Sequence, residues 1–151
     1  MMNDLHIKKL SVNDVSCFEN LIILFEEVFE MKKFSIPKSE YLRELLAKEN
    51  FHVFVALKEG SVIGGLTAYT LNQYYSEKLL AYIFDLAVAG LWQRQGIGNA
   101  LIMHTKSYFR QNGYSEVFVQ ADKIDDYAVD FYRKTNPTEE EDVLHFYYTL
   151  D

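Results

Sequence analysis

Two segments near the start of the chain carry apolar residues at helical spacing. The first runs to about Glu30 from Ser11 or Asn13, either of which is suited to cap a helix, and its apolar face carries Val15, Phe18, Ile22, Phe25 and Phe29. The second covers residues 38–48 and turns four side chains inward, at Tyr41, Leu42, Leu45 and Leu46. Both patterns predict amphipathic helices, and residues 6–10 before them predict a short first strand.

Short apolar runs in the middle of the chain predict strands. Residues 51–57 and 62–69 flank the turn Lys58-Glu59-Gly60-Ser61 and predict a hairpin. Residues 80–88 form a nearly continuous apolar strand that only Asp85 interrupts. An acid among such neighbours is costly unless it is paired or used in chemistry.

The second half alternates helix and strand. Residues 98–111 predict a helix that Asn112-Gly113 ends in a left-handed cap. Residues 116–121 predict a strand, residues 126–134 a short helix and residues 143–149 a last strand. Helices between strands, after an early hairpin, predict a mixed sheet in an α/β or α+β domain.

Composition and charge narrow the class of protein. The length of 151 residues predicts a single domain over 1–151, with 49% hydrophobic residues to fill its core. A net charge of −7 argues against a nucleic-acid surface and is compatible with a cationic partner or with solubility alone. The start of the chain lacks the pattern of a signal peptide, and no apolar run reaches the roughly 20 residues of a membrane span. We therefore expect a cytoplasmic protein that does not bind a membrane.

Side chains for disulfide or metal chemistry are sparse. Cys17 is the only cysteine, so no internal disulfide can form, and a buried structural thiol is the expected role. The four histidines are scattered without the spacing of metal ligands, so no metal site is predicted.

One glycine-containing segment has the character of a phosphate-binding loop. It follows a strand, opens a helix and consists of Gln93, Arg94, Gln95, Gly96, Ile97, Gly98 and Asn99. Its glycines permit a tight turn and a close approach to a ligand, and the free N–H groups of the helix start suit a pyrophosphate. A Walker A loop is excluded because no Gly-Lys-Ser/Thr follows, and a dinucleotide fingerprint fails at Leu101. An acyl-CoA pyrophosphate loop is the remaining interpretation.

The order of these elements resembles the GNAT superfamily of N-acetyltransferases. The resemblance rests on the strand before the loop, the Gln93-Arg94-Gln95-Gly96-Ile97-Gly98 segment, the long helix, and the later helix with Phe131-Tyr132. It implies a GNAT-like mixed central β-sheet flanked by helices, with acetyl-CoA as co-substrate. Main-chain groups of Leu86, Ala87 and Val88 would then contact the acetyl donor, and Tyr132 would protonate the departing thiolate.

A narrower resemblance points to the type I aminoglycoside 3-N-acetyltransferases. It is carried by Tyr82-Ile83-Phe84-Asp85-Leu86-Ala87-Val88-Ala89-Gly90, by Val119-Gln120-Ala121-Asp122 and by the ending Glu141-Asp142-Val143-Leu144-His145-Phe146. It implies an antibiotic-resistance acetyltransferase, and a homodimer. One departure is visible, since Lys134 is followed by Thr135-Asn136-Pro137 where the family usually has Leu-Gly.

Asp85 is our candidate general base, because acetylating an amine requires a carboxylate or similar group to accept its proton. It would otherwise serve as a structural carboxylate bonded to a loop, and Tyr132 would otherwise be a core aromatic. Asp122, Asp125 and Asp126 are expected either to attract a small cationic amine or, for Asp126, to cap the short helix. Two alternatives stay open: an acetyltransferase for a polyamine, metabolite or protein amine, and a non-catalytic acetyl-CoA-binding module.

Overall fold

The computed structural model describes residues 4–151, which divide into two units, one running through Val119 and the other spanning Gln120–Asp151. The expectation of a single domain stays a prediction. Within the described range no helix has both the length and the apolar character needed to cross a bilayer. The cytoplasmic location also stays a prediction.

A mixed sheet of five strands forms the first unit, as the pattern of short apolar runs predicts. In chain order and in sheet order they are β1 (Leu5–Lys9), β2 (Phe51–Lys58), β3 (Ser61–Leu71), β4 (Leu80–Val88) and β5 (Glu116–Val119). The first four strands pair antiparallel, and β5 joins β4 in parallel. The predicted hairpin is confirmed between β2 and β3, with Glu59 and Gly60 both at positive φ in its turn.

Three helices cover the two faces of this sheet. They are α1 (Val15–Phe29), α2 (Ser39–Ala47) and α3 (Ile97–Gln111). The α1 face buries a cluster that includes Phe18, Leu21, Leu42 and Val53. On the opposite face the ring of Phe109 from α3 packs edge-on against Phe54 of β2. The expected arrangement of a sheet flanked by helices is therefore confirmed.

The ends of these helices follow the predicted signals with small shifts. Ser11 forms a capping box with Asp14 over a short 3₁₀ turn, and α1 itself begins at Val15. Gly113 at the end of α3 has a φ of 81° and supplies the predicted left-handed cap. The inward face of α1 is displaced from the expected one, since Phe29 is 40% exposed while Leu21 is fully buried. Tyr41 of α2, expected to point inward, is 53% exposed.

The second unit contains one helix, α4 (Asp126–Lys134), in its described residues. The predicted strand over residues 143–149 is wrong for this structure, because no residue after Lys134 belongs to a helix or a strand. A strand requires a neighbouring strand for its hydrogen bonds, and this segment has none in the described chain. The departure after Lys134 has a local explanation, since Asn136 takes the left-handed conformation, with a φ of 59°, that glycine usually supplies at a helix end.

Gly65 fixes how closely α1 approaches the sheet. A Cβ atom at this position would lie 2.6 Å from Leu21 Cδ1 and 2.7 Å from the carbonyl oxygen of Phe54. One neighbour is a fully buried side chain and the other is backbone, so neither can yield easily. Only glycine lets β3 and α1 meet at this distance.

We therefore expect Gly65→Ala to lower the free energy of unfolding by about 1–3 kcal/mol, the usual cost of overpacking. Gly90→Ala is the matched control, because a Cβ at Gly90 meets no atom within 4 Å. Urea unfolding of the two variants measures the difference. Equal midpoints would show that α1 can move away from β3 without cost.

Candidate active site

A β-bulge in β4 decides which face of the sheet Asp85 occupies. Thr67 of β3 pairs with Asp85 and the next residue, Ala68, pairs with Ile83, so Phe84 is an extra residue in β4. In regular alternation Asp85 would share a face with Ile83, on the side of α3. The bulge shifts the alternation by one and places Asp85 beside Thr67 on the α1 face.

Asp85 lines a cleft of about 240 Å³ between the sheet and the first two helices. The remaining wall is mostly apolar and consists of Phe18, Ile22, Phe25, Met31, Phe34, Pro37, Tyr41, Leu42, Leu45, Phe51, Thr67, Tyr69 and Phe84. Among these lining residues Asp85 is the one carboxylate. The cleft thus presents one acidic group to a bound molecule, surrounded by rings and aliphatic side chains.

Burial changes the proton affinity of this carboxyl. It raises the pKa of Asp85 above the usual aspartate value, because the charged form loses solvation. Burial also raises the pKa of Tyr69, with smaller contributions from Tyr41 and from the charge of Asp85. A carboxylate with a raised pKa binds a proton more readily, which is the property required of a general base.

The same strand has an open edge beyond the bulge. The ladder between β4 and β5 covers Leu80 to Ile83 and ends where Ile83 pairs with Val119. Leu86, Ala87 and Val88 therefore pair with β3 on one side, and no strand of residues 4–151 pairs with them on the other. The sequence resemblance assigns the main chain of these residues to the acetyl donor, and that assignment stays a prediction.

The loop between β4 and α3 is held by its own glutamines. The Gln93 side chain donates to the Val88 carbonyl at 2.9 Å, and the Gln95 side chain donates to the Leu91 carbonyl at 3.1 Å. Arg94 adopts a φ of 62° between them. These bonds fix the loop against the end of β4, so the candidate cofactor residues Gln93 and Gln95 have a structural role whatever they bind.

The N-terminus of α3 opens toward solvent at Gly96. Gly96 is the N-cap with a φ of 85°, and no side chain of the described residues caps this end. The first helical bond runs from the Ala100 amide to the Gly96 carbonyl. The amides of Ile97, Gly98 and Asn99 come before this bond, so they donate to no carbonyl of the helix. They lie at the positive end of the helix dipole. The arrangement fits a pyrophosphate, although Ile97 and Gly98 themselves are buried.

The remaining predicted site residues belong to the second unit. Tyr132 lies half-buried on α4, with its ring 4.9 Å from that of Phe131. The cap of α4 is Asp125, whose carboxylate accepts from the Ala128 amide at 3.1 Å, so the capping role considered for Asp126 is wrong. Asp122 accepts from the Ile124 amide at 3.3 Å, and all three acids are exposed.

Sequence reasoning missed most of the cleft wall. Thr67, Tyr69 and Phe84 line the cleft because of strand register and the bulge, and neither is visible in the periodicity of single strands. Met31, Phe34 and Pro37 come from the irregular segment between α1 and α2. The sequence carried no clear signal for them, since isolated apolar residues in a non-helical segment are common on protein surfaces, and Met31 is itself 40% exposed.

The fold and this site define a class of acetyl-transferring enzyme. Residues 18–136 match the acetyltransferase (GNAT) family, so the chain belongs to the GNAT acetyltransferases, which use acetyl-CoA. No curated protein matches the sequence.

Three solved structures of similar proteins come from uncultured soil metagenomic samples. The aminoglycoside acetyltransferase meta-AAC0020 in complex with trehalose is 60% identical, with a TM-score of 0.98 and coverage of 100% of both chains. The structure of that protein in complex with sisomicin is 62% identical, with a TM-score of 0.97 and coverage of 99% of this chain and 98% of that chain. The aminoglycoside acetyltransferase HMB0005 is 36% identical, with a TM-score of 0.91 and coverage of 97% of this chain and 99% of that chain.

We expect Gly96→Asp to weaken acetyl-CoA binding by at least tenfold while the protein stays folded. A Cβ at Gly96 meets nothing within 4 Å, and aspartate tolerates the left-handed region better than most residues. Its carboxylate would occupy the end of α3 and repel a pyrophosphate. Isothermal calorimetry with CoA measures the change.

Gln111→Asp is the matched control, because it adds the same side chain to the last turn of the same helix, about 20 Å away. Its affinity for CoA should equal that of the parent protein. Unchanged affinity in a folded Gly96→Asp variant would contradict a pyrophosphate site at this helix end.

Proposed function

We propose that this enzyme transfers the acetyl group of acetyl-CoA to the 3-amino group of an aminoglycoside, by direct transfer in a ternary complex. The observation that carries the proposal is the 60–62% identity, over nearly the full length of both chains, to an aminoglycoside acetyltransferase solved with sisomicin. The position of attack follows from the sequence resemblance to the type I 3-N-acetyltransferases. Acetylation removes a positive charge from the antibiotic, so the activity would confer resistance.

Asp85 is the proposed general base. An aminoglycoside amine arrives mostly as an ammonium ion, and it attacks only after losing a proton. Asp85 is the carboxylate of the cleft, and its raised pKa favours taking that proton, directly or through water. The amine nitrogen then forms a bond to the acetyl carbonyl carbon as the bond from that carbon to the CoA sulfur breaks.

The main chain of β4 is the proposed partner of the carbonyl oxygen. Negative charge develops on this oxygen during attack, and a fixed N–H donor stabilises it without reorganisation. Leu86, Ala87 and Val88 lie at the open edge of β4, two to four residues beyond the bulge. The CoA pyrophosphate would lie at the start of α3, with Arg94 adding a charge-assisted contact.

Tyr132 is the proposed acid for the leaving group. The departing CoA thiolate takes a proton from the phenol. Asp85 passes the ammonium proton to solvent before attack and takes the second N–H proton as the bond to sulfur breaks, so the reaction balances when solvent returns Asp85 and Tyr132 to their resting states. No covalent enzyme intermediate is needed, and Cys17 has no part in the chemistry. The exposed carboxylates Asp122, Asp125 and Asp126 would raise the local concentration of a multiply charged amine.

Substitution of Asp85 and substitution of Tyr132 should change the pH dependence of the reaction in different ways. We expect kcat/KM to fall as the pH drops through the raised pKa of Asp85, because protonation removes the base. Asp85→Asn should cost about 10²–10⁴-fold in kcat and abolish this acid limb. Tyr132→Phe should lower kcat while the acid limb persists. Full pH profiles of thiol release test both, and a normal acid limb in Asp85→Asn would make Asp85 structural.

The acceptor class is tested with a panel of sisomicin, other aminoglycosides, polyamines and an N-terminal peptide amine. We expect aminoglycosides with a free 3-amino group to give the highest kcat/KM, and nuclear magnetic resonance of the product to locate the acetyl group on that nitrogen. Turnover of polyamines or peptides with none of aminoglycosides would overturn the acceptor. CoA binding without any turnover would overturn catalysis.

The proposed role of Asp122, Asp125 and Asp126 in attracting the substrate is tested separately in the same assay. Asp126→Asn should raise KM for the aminoglycoside more than it lowers kcat, since a distant charge attracts substrate without touching the reacting atoms. The effect should shrink as salt is added. Asp126 is preferred to Asp125 for this test because Asp125 also caps α4.

A further inference from the structure

Aromatic side chains cross the sheet on the face that carries Asp85. They occupy successive cross-strand pairs: Phe51 of β2, Tyr69 of β3, Tyr82 of β4 and Phe118 of β5. Residues that pair across neighbouring strands share a face of the sheet, so these four rings follow one another at right angles to the strands. The pairing of Asp85 with Thr67, two residues before Tyr69, places the carboxylate on this same face.

The extra residue of the β4 bulge joins these rings to the cleft. The ring of Phe84 meets those of Tyr69 and Tyr82 edge-on, at 5.8 and 6.0 Å, and it lines the cleft together with Asp85. The ring of Tyr82 is stacked on that of Phe118, with centroids 4.8 Å apart. We define the aromatic row as Tyr69, Phe84, Tyr82 and Phe118. The bulge thus presents a carboxylate and one end of this row to the same space.

The aromatic row is accessible, although the ring that precedes it belongs to the core. Phe51 is 5% exposed and packs against Phe18 of α1, with ring centroids 5.9 Å apart. Tyr69 is 37% exposed and Phe84 is 55% exposed, and the other two rings of the row are half-buried. Single exposed aromatics are ordinary, but a contiguous set beside a candidate catalytic group marks a binding surface.

Carboxylates flank the aromatic row on both sides. Asp85 follows Phe84 in β4, and Glu116, two residues before Phe118 in β5, lies exposed on the same face by the alternation of the strand. Glu116 pairs with Leu80, so the two carboxylates are separated along the strands by roughly 13–17 Å. No lysine or arginine is among the residues that line the cleft.

This combination has the chemistry of a site for several positive charges. The faces of aromatic rings attract cations, and the carboxylates on either side of the row add to that attraction. The separation of the carboxylates suits a molecule of two or three rings with ammonium groups along its length. A small amine with a single charge would reach Asp85 and leave most of the row unused.

We propose that the aromatic row holds the non-reacting ammonium groups of a polycationic amino sugar by cation–π contacts, while the reacting amine lies at Asp85. This inference rests on the proposed function, because it assigns residues to the acceptor of that reaction. The row selects acceptors that carry several positive charges over peptide amines with uncharged neighbours. It acts on binding, whereas Asp85 acts on the proton of the reacting nitrogen.

Stepwise fluorination of Phe84 tests the cation–π contact, because fluorine withdraws charge from the ring face while the ring keeps its shape. Full-length protein with monofluoro-, difluoro- or trifluorophenylalanine at this position is titrated with sisomicin by calorimetry. We expect the Kd to rise at each step, by about 2–30-fold over the series. A Kd that stays constant or falls would overturn the proposal, since a purely apolar contact does not weaken on fluorination.

Trifluorophenylalanine in place of Phe29 is the matched control. The Phe29 ring is 40% exposed and stacks on another ring, that of Phe25, at 5.4 Å, but it does not line the cleft. The Kd for sisomicin should equal that of the parent protein. An equal rise in Kd for the substitutions at Phe29 and Phe84 would show a general effect of fluorine and overturn the assignment.

Turnover of sisomicin separates failure of this inference from failure of the proposed function. The fluorinated series should raise KM more than it lowers kcat, since the row binds groups that do not react. Phe118→Leu, which keeps the surface apolar, should also raise KM, and an unchanged KM would overturn the role of the outer rings. Normal turnover with an unchanged KM throughout would overturn the row and leave the activity standing. A Kd that rises with fluorination, without any turnover, would support the row and overturn the proposed acceptor.

Discussion

A single inserted residue in β4 organises the rest of the site. Phe84 has no partner of its own across β3, and this irregularity turns Asp85 toward α1 and the cleft. Parallel pairing with β5 also ends just before it, at Ile83. At this one departure from regular pairing, an acidic group turns toward an apolar cleft and the described pairing of β4 with β5 ends.

The approach of α1 to the sheet is the second constraint, and it depends on Gly65. Because α1 lies this close, Phe18 and Phe25 reach both the core and the cleft wall. Burial beneath this helix layer is what raises the pKa of Asp85. The packing that stabilises the fold and the environment that prepares the carboxylate are therefore the same set of contacts.

Much of the fold could be predicted from the sequence because it depends on patterns of neighbouring residues. The hairpin turn at Glu59-Gly60, the cap at Ser11 and the left-handed Gly113 each follow from a few adjacent residues. The glycine loop and Asp85 were also identifiable. The face of the sheet that Asp85 occupies could not be predicted, because a bulge depends on the register between two strands. The strand expected over residues 143–149 failed for a related reason: its pattern is correct, but a strand also needs a neighbour.

The hydrogen bond from the Gln93 side chain to the Val88 carbonyl ties the loop before α3 to the end of β4, so the two parts of the proposed donor site are joined directly. The opposite wall of the cleft is built differently, from an irregular segment with left-handed turns at Glu30 and Lys33 and no ladder to preserve. If the cleft is the acceptor pocket, as proposed, substitutions or insertions in this segment would reshape it without disturbing β4 or the loop before α3. Selection by a new amine would then act mainly on a segment whose change leaves the strand that carries Asp85 intact.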